Sequence, residues 1–117
     1  MNILIVEDEA ISANLLQMLM KKRGHHVLGP VATGEDAVEL ALESDPDVIL
    51  MDIHLAGEID GIEAVGAIHK KKQIPVIFIT AYDENSVVER AMKHKPLAYL
   101  KKPVNPNEID RVLRDSF

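Results

Sequence analysis

Three short runs, Ile3–Val6, Val48–Met51 and Val76–Ile79, contain no polar residue and are rich in β-branched side chains. Each is too short to make a helix, and a strand with one wet face would alternate apolar with polar positions. Such runs suit strands covered on both faces, the environment of a parallel sheet sandwiched between helices. This feature restricts the chain to α/β architectures.

The segments between the runs repeat apolar residues at steps of three and four, one buried stripe per helix. The expected stripes are Ile11, Leu15, Met18 and Leu19; Ala37, Val38, Ala41 and Leu42; Ile62, Val65 and Ile68; Val87, Val88, Ala91 and Met92; and Ile109, Val112 and Leu113. Gly24 follows Lys21-Lys22-Arg23, a basic helix end with its stop. Asn105-Pro106-Asn107-Glu108 reads as an N-cap, a proline in the first helical position and an acid in the first turn. Two weaker strands complete the pattern. Val27–Ala32 carries Gly29 and Pro30, which places it at a sheet edge because proline cannot donate to a ladder, and Ala98–Leu100 is short enough for the other edge. There is no linker, repeat or low-complexity tract. The expectation is one domain over residues 1–117, a (βα)₅ three-layer sandwich whose right-handed crossovers give the flavodoxin-like strand order 2-1-3-4-5.

Bulk properties remove several function classes. With 117 residues and 47% hydrophobic content the chain can bury one core. The absence of cysteine excludes disulfides, thiolate metal sites and cysteine nucleophiles. A net charge of −6 argues against direct binding to nucleic-acid phosphates. No apolar run approaches the roughly 18 residues of a membrane span. Met1 leads at once into a strand-like run, leaving no room for a signal peptide, so a cytoplasmic location is expected.

In a sheet of this order ligands bind beyond the carboxyl ends of the strands, near the switch point between the first and third. Glu7 and Asp8 follow the first strand, Asp52 the third, Thr80 ends the fourth, and Lys102 follows the fifth. Taken singly, each has an ordinary reading: Glu7 or Asp8 as a helix cap, Thr80 as a turn residue, Lys102 as solvated surface. Capping is a poorer account of Asp52, which precedes the loop Ile53–Ile59 rather than a helix. Clustered carboxylates raise one another's pKa, a conflict that a hard divalent cation removes. Mg²⁺ takes about six oxygen ligands, often one or two carboxylates with waters and a phosphate. Beside such an ion, an Asp52 oxygen is placed to attack a phosphoryl group, whose charge Lys102 and Thr80 would help offset.

With those residues in view, the chain resembles the receiver domains of two-component response regulators along essentially its whole length. The matching stretches are Ile3–Glu9, Met51-Asp52-Ile53, Asp60-Gly61-Ile62-Glu63, Pro75-Val76-Ile77 with Ile79-Thr80-Ala81, and Tyr99–Pro103. The resemblance implies that Asp52 is the phosphoacceptor, served by a sensor histidine kinase or a phosphotransfer protein. Glu7, Asp8, Asp52 and the backbone carbonyl of His54 would hold Mg²⁺, or Mn²⁺ in its place. Thr80 and Lys102 would contact the phosphoryl group, and Thr80 and Tyr99 would form the switch. A cis Lys102–Pro103 bond and a small Ala81 leaving a path to the phosphoryl group are further implications. So is a domain that catalyses its own phosphorylation and dephosphorylation without being a conventional turnover enzyme, and that signals to a downstream effector through its fourth helix, fifth strand and fifth helix.

The pattern departs from the family in three places. The loop Asp52–Gly61 is one residue longer than the common spacing, with Ala56 near the usual proline. Glu7 stands where aspartate is also common. Pro96-Leu97-Ala98 lacks the acids that precede the aromatic in receivers dimerising through that face, so the expectation is a monomer or a weak dimer formed on phosphorylation. Two rivals stay open. A Mg²⁺-dependent phosphatase would want a second acid two residues after Asp52, where His54 stands, and a receiver-like interaction module would never accept phosphate. His25, His26, His54, His69 and His94 show no metal-ligand spacing, Lys70-Lys71-Lys72 reads as a solvated helix end, and Met18, Met20 and Met92 read as packing residues.

Overall fold

The computed structural model describes residues 1–117. The elements alternate as β1 (Asn2–Val6), α1 (Ala10–Lys22), β2 (His26–Val31), α2 (Gly34–Ser44), β3 (Val48–Met51), α3 (Gly61–His69), β4 (Val76–Thr80), α4 (Asn85–Met92), β5 (Ala98–Lys101) and α5 (Pro106–Ser116). All strand pairs are parallel, in the order β2-β1-β3-β4-β5. The three runs of unbroken apolar sequence are the three central strands, and the two glycine/proline-bearing or short strands are the edges, as their composition requires. Gly29 adopts φ +81°, and a Cβ there would come within 2.9 Å of the Ile5 carbonyl oxygen, so the edge strand depends on glycine at this point. The Gly29–Pro30 and Lys102–Pro103 peptides are both cis.

Side chains alternate across the sheet and build two cores. Leu4, Val6, Ile49, Met51, Val76 and Phe78 face α2, α3 and α4 through Ala37, Ala41, Ile62, Val65, Ile68 and Ala91. Ile3, Ile5, Val48, Leu50, Ile77 and Ile79 face α1 and α5 through Leu16, Met20, Ile109 and Leu113. At roughly 1.5–3 kcal/mol for each large apolar side chain fully buried, this double-sided burial is the main force holding the sheet.

The expected stripe on α1 is out of phase at three of its four positions; Leu19 alone is partly buried and packs against the core. Ala13, Leu16 and Met20 are the buried residues, whereas Ile11, Leu15 and Met18 are 81%, 46% and 48% exposed. Both sets have helical spacing, so periodicity alone did not choose between them. The choice falls to tertiary packing, which sets the small Ala13 against the sheet and leaves an apolar stripe outside. Met92 is likewise exposed, and of the three methionines read as packing residues only Met20 is buried. Lys72 is not a solvated helix end either. It donates to the Leu42 carbonyl at 2.6 Å and pairs with Asp45, joining the segment after α3 to the end of α2.

Capping follows the sequence closely elsewhere. Asn105 accepts from the Asn107 amide with Pro106 in the first turn, and Asp60 with Glu63 forms a reciprocal capping box on α3.

Candidate functional site

The sheet hydrogen bonding continues just past the strands and fixes the residues that follow them. The Glu7 amide donates to the Val31 carbonyl at 2.9 Å, the Asp52 amide to Val6 at 3.0 Å, and the Lys102 amide to Thr80 at 2.9 Å. Three functional side chains therefore project from backbone held by the hydrogen bonding of the sheet. Capping does not explain the acids: α1 begins at N-cap Glu9, which makes no side-chain cap, and the one backbone amide that Glu7 accepts from is that of Glu9, at 3.2 Å.

Glu7 and Asp52 are buried, at 3% and 6% exposure, and Asp8 is exposed beside them. One carboxylate oxygen from each can be drawn from a group lying within 4.8 Å of one another. The Lys102 ammonium enters between the two buried acids, donating to Glu7 Oε1 at 2.5 Å and to Asp52 Oδ2 at 2.9 Å. The other Asp52 oxygen, Oδ1, accepts from the Ile53 amide at 2.7 Å. Burial pushes the Glu7 carboxyl up to about 7; Lys102 opposes the shift and neighbouring Asp52 adds to it. Burial would also depress the Lys102 ammonium, but its bonds to Glu7 and Asp52 outweigh that and raise its pKa. Geometrically, the two buried acids share one ammonium. Hard carboxylate oxygens this close together, short of countercharge, are a donor set that fits a divalent ion such as Mg²⁺.

These groups line an open cleft of ≈ 370 Å³, with Glu9, Ala81, Tyr82 and the exposed His54 on the remaining wall. The His54 and Tyr82 rings lie 5.5 Å apart across it. Thr80 and Tyr99 do not line the cleft. The Thr80 side chain is fully buried, and its hydroxyl accepts from the Tyr82 amide at 3.3 Å. The Tyr99 ring packs 6.3 Å from Phe78, and its hydroxyl donates to the Tyr82 carbonyl at 2.5 Å. Both expected switch residues thus hold opposite ends of one residue, Tyr82, a link through backbone atoms that no side-chain pattern reveals. His69 and His94 stay apart from the acids: His69 Nε2 donates to the Ile74 carbonyl at 2.9 Å, and the His94 ring lies 6.2 Å from the His69 ring, beside a cleft at the amino ends of β4 and β5.

A profile of the response regulator receiver domain matches residues 3–114. The chain is 35% identical over 107 residues to the transcriptional regulatory protein PdtaR of Mycobacterium tuberculosis, covering 92% of this chain and 52% of that protein. It is 39% identical over 116 residues to the phyllosphere-induced regulator PhyR of Methylorubrum extorquens, covering 98% and 43%. It thus spans about half the length of these relatives. Its fold superimposes with a TM-score of 0.91 on the signal receiver domain of a modulated diguanylate cyclase from Desulfovibrio desulfuricans G20, at 35% identity and covering 98% and 91% of the two chains. An acid-lined rim at the switch point of a 2-1-3-4-5 sheet, matched over nearly every residue, places this chain in the response regulator receiver domain family.

Proposed function

We propose that residues 1–117 form a single receiver unit that accepts a phosphoryl group on Asp52 from a histidine of a sensor kinase or phosphotransfer protein. The observation that carries the reading is the buried Asp52 at a strand tip, one oxygen on Lys102 and the other on the Ile53 amide, with Glu7 and Asp8 oxygens close by. That arrangement holds the carboxylate in one orientation and leaves it facing the cleft.

Asp8, Asp52 and the His54 carbonyl would hold Mg²⁺, with Glu7 reaching it directly or through water, and Mn²⁺ could take its place. When bound, the ion supplies positive charge that offsets the phosphoryl oxygens. An Asp52 oxygen attacks phosphorus in line. The P–N bond to the donor imidazole breaks, its electron pair stays on the leaving nitrogen, and an aspartyl phosphate is left. Lys102 then serves an oxygen of the new phosphoryl group, and Thr80, released from Tyr82, turns its hydroxyl to another. Freed on one side, Tyr82 no longer holds Tyr99 in the same way, which alters the face of α4, β5 and α5 for a downstream effector. An apolar face beside the site is open to the phosphodonor protein: Ile11, Leu15 and Met18 are exposed on α1, and Leu15 shares a second cleft with Glu7, Lys102, Pro103 and Val104. No helix is long and apolar enough to cross a membrane.

Calorimetric titration with MgCl₂ tests the reading. One ion per chain, lost in Asp8→Asn and Asp52→Asn, is the expected result. No Mg²⁺ binding would favour an interaction module, and sustained turnover of phosphate monoesters would favour a phosphatase.

A further inference from the structure

The segment between β3 and α3, residues 52–60, carries the Asp52 nucleophile at one end and is fastened at several points to the start of α2. Thr33, the α2 N-cap, forms a parallel bridge with Ala56. Because β1 lies between β2 and β3 in the sheet, this bridge joins the segments that follow the two neighbours of β1. Glu35 then grips the same loop with both oxygens: Oε2 accepts from the Glu58 amide at 3.4 Å and Oε1 from the Ile59 amide at 3.2 Å. Three glycines allow the pieces to approach. A Cβ on Gly34 would lie 2.5 Å from Ile59 Cγ1, one on Gly57 would lie 2.5 Å from Glu35 Oε2, and one on Gly61 would lie 2.0 Å from the Asp52 carbonyl oxygen. The loop is therefore held at Ala56, at Glu58–Ile59 and at Gly61, and between these points and the sheet it has little freedom.

The simple account of Glu35 is an acid in the first turn of a helix, favourable to the helix dipole. That account does not explain why its two oxygens are spent on amides of a different segment. Asp36 shares the first turn, but its side chain makes no such contact.

We infer that Glu35 is a positioning residue: by clamping residues 58–59 it fixes the loop that presents the His54 carbonyl, and so sets the affinity of the acidic site for Mg²⁺. This rests on the metal site proposed above. Partners outside the first coordination sphere set ligand orientation, and losing one weakens metal binding by about 10- to 100-fold. Glu35 acts at one remove further, so the low end, about tenfold, is expected.

The test compares the parent chain with Glu35→Ala, Glu35→Gln and Asp36→Ala, by amide hydrogen exchange without divalent ions and by titration with MgCl₂. Glu35→Ala should speed exchange at the Glu58 and Ile59 amides and weaken Mg²⁺ binding about tenfold. Glu35→Gln keeps one acceptor oxygen and should fall between, and Asp36→Ala should match the parent in both. Faster exchange with unchanged Mg²⁺ affinity would overturn the inference while leaving the metal site intact. Equal losses in Asp36→Ala would also overturn it, in favour of the helix dipole. A parent chain that binds no Mg²⁺ would remove the underlying site, and with it the inference.

Discussion

Replacing Lys102 by methionine keeps the length of the side chain and removes the only cation bonded to Glu7 and Asp52. The loss of the Asp52 bond costs about 1.5 kcal/mol, a hydrogen bond to a charged group at the low end because Lys102 is partly exposed. Glu7 behaves differently. Its folded pKa is raised from 4.5 to about 7, so the unfolded chain releases this proton first and stability falls as pH rises between those values. In the parent the fall stops near 7, where Glu7 ionises against Lys102. Without Lys102 the carboxyl stays protonated to higher pH, and each further pH unit costs up to about 1.4 kcal/mol. The gap between parent and variant should therefore be about 1.5 kcal/mol at pH 6 and about 3 kcal/mol at pH 8. Urea unfolding at both pH values, without divalent ions, measures it through the midpoint at constant slope. A gap that is flat with pH, or wider at pH 6, would refute the view that Lys102 is what lets Glu7 ionise.

Further outcomes follow from the packing and the charges. Gly61→Ala puts a Cβ 2.0 Å from the Asp52 carbonyl oxygen, a backbone atom that cannot swing aside, and should cost about 2–3 kcal/mol by urea unfolding; parental stability would show that the loop yields freely. On α1, Met20→Ala should cost about 2–5 kcal/mol, whereas Ile11→Ser and Met18→Ser should stay within about 0.5 kcal/mol, and the reverse order would show that the helix is rotated. Burial, then the neighbouring His69 and Arg90, hold the His94 pKa below its usual 6.5. The unfolded chain therefore binds this proton first on acidification, and stability is lost as pH falls below about 6.5. His94→Gln should flatten that part of the pH–stability curve, seen by thermal unfolding.

The sheet was legible because its central strands are apolar on both faces, and few other structures can absorb three such runs. Pro30 marked one edge for the same reason of backbone chemistry. The strand tips could be read as well, since topology alone brings Glu7, Asp8, Asp52 and Lys102 to one rim. What escaped was anything decided by packing between elements. Helical spacing on α1 was satisfied by two faces, and only contact with the sheet selected Leu16 and Met20 over Leu15 and Met18. Thr80 and Tyr99 sit outside the cleft because backbone atoms of Tyr82 compete for their hydroxyls. The hold of Glu35 on the Glu58–Ile59 amides joins distant segments through main-chain donors, which every residue carries and no composition marks.

The central claim is that Asp52 becomes a mixed anhydride with phosphate. Intact mass after incubation with a small acyl phosphate and Mg²⁺ tests it most directly, on the parent and on Asp52→Asn. The account expects one phosphoryl group per parent chain, none when Mg²⁺ is chelated, and none on the variant. Equal incorporation into parent and variant, or incorporation indifferent to Mg²⁺, would contradict it.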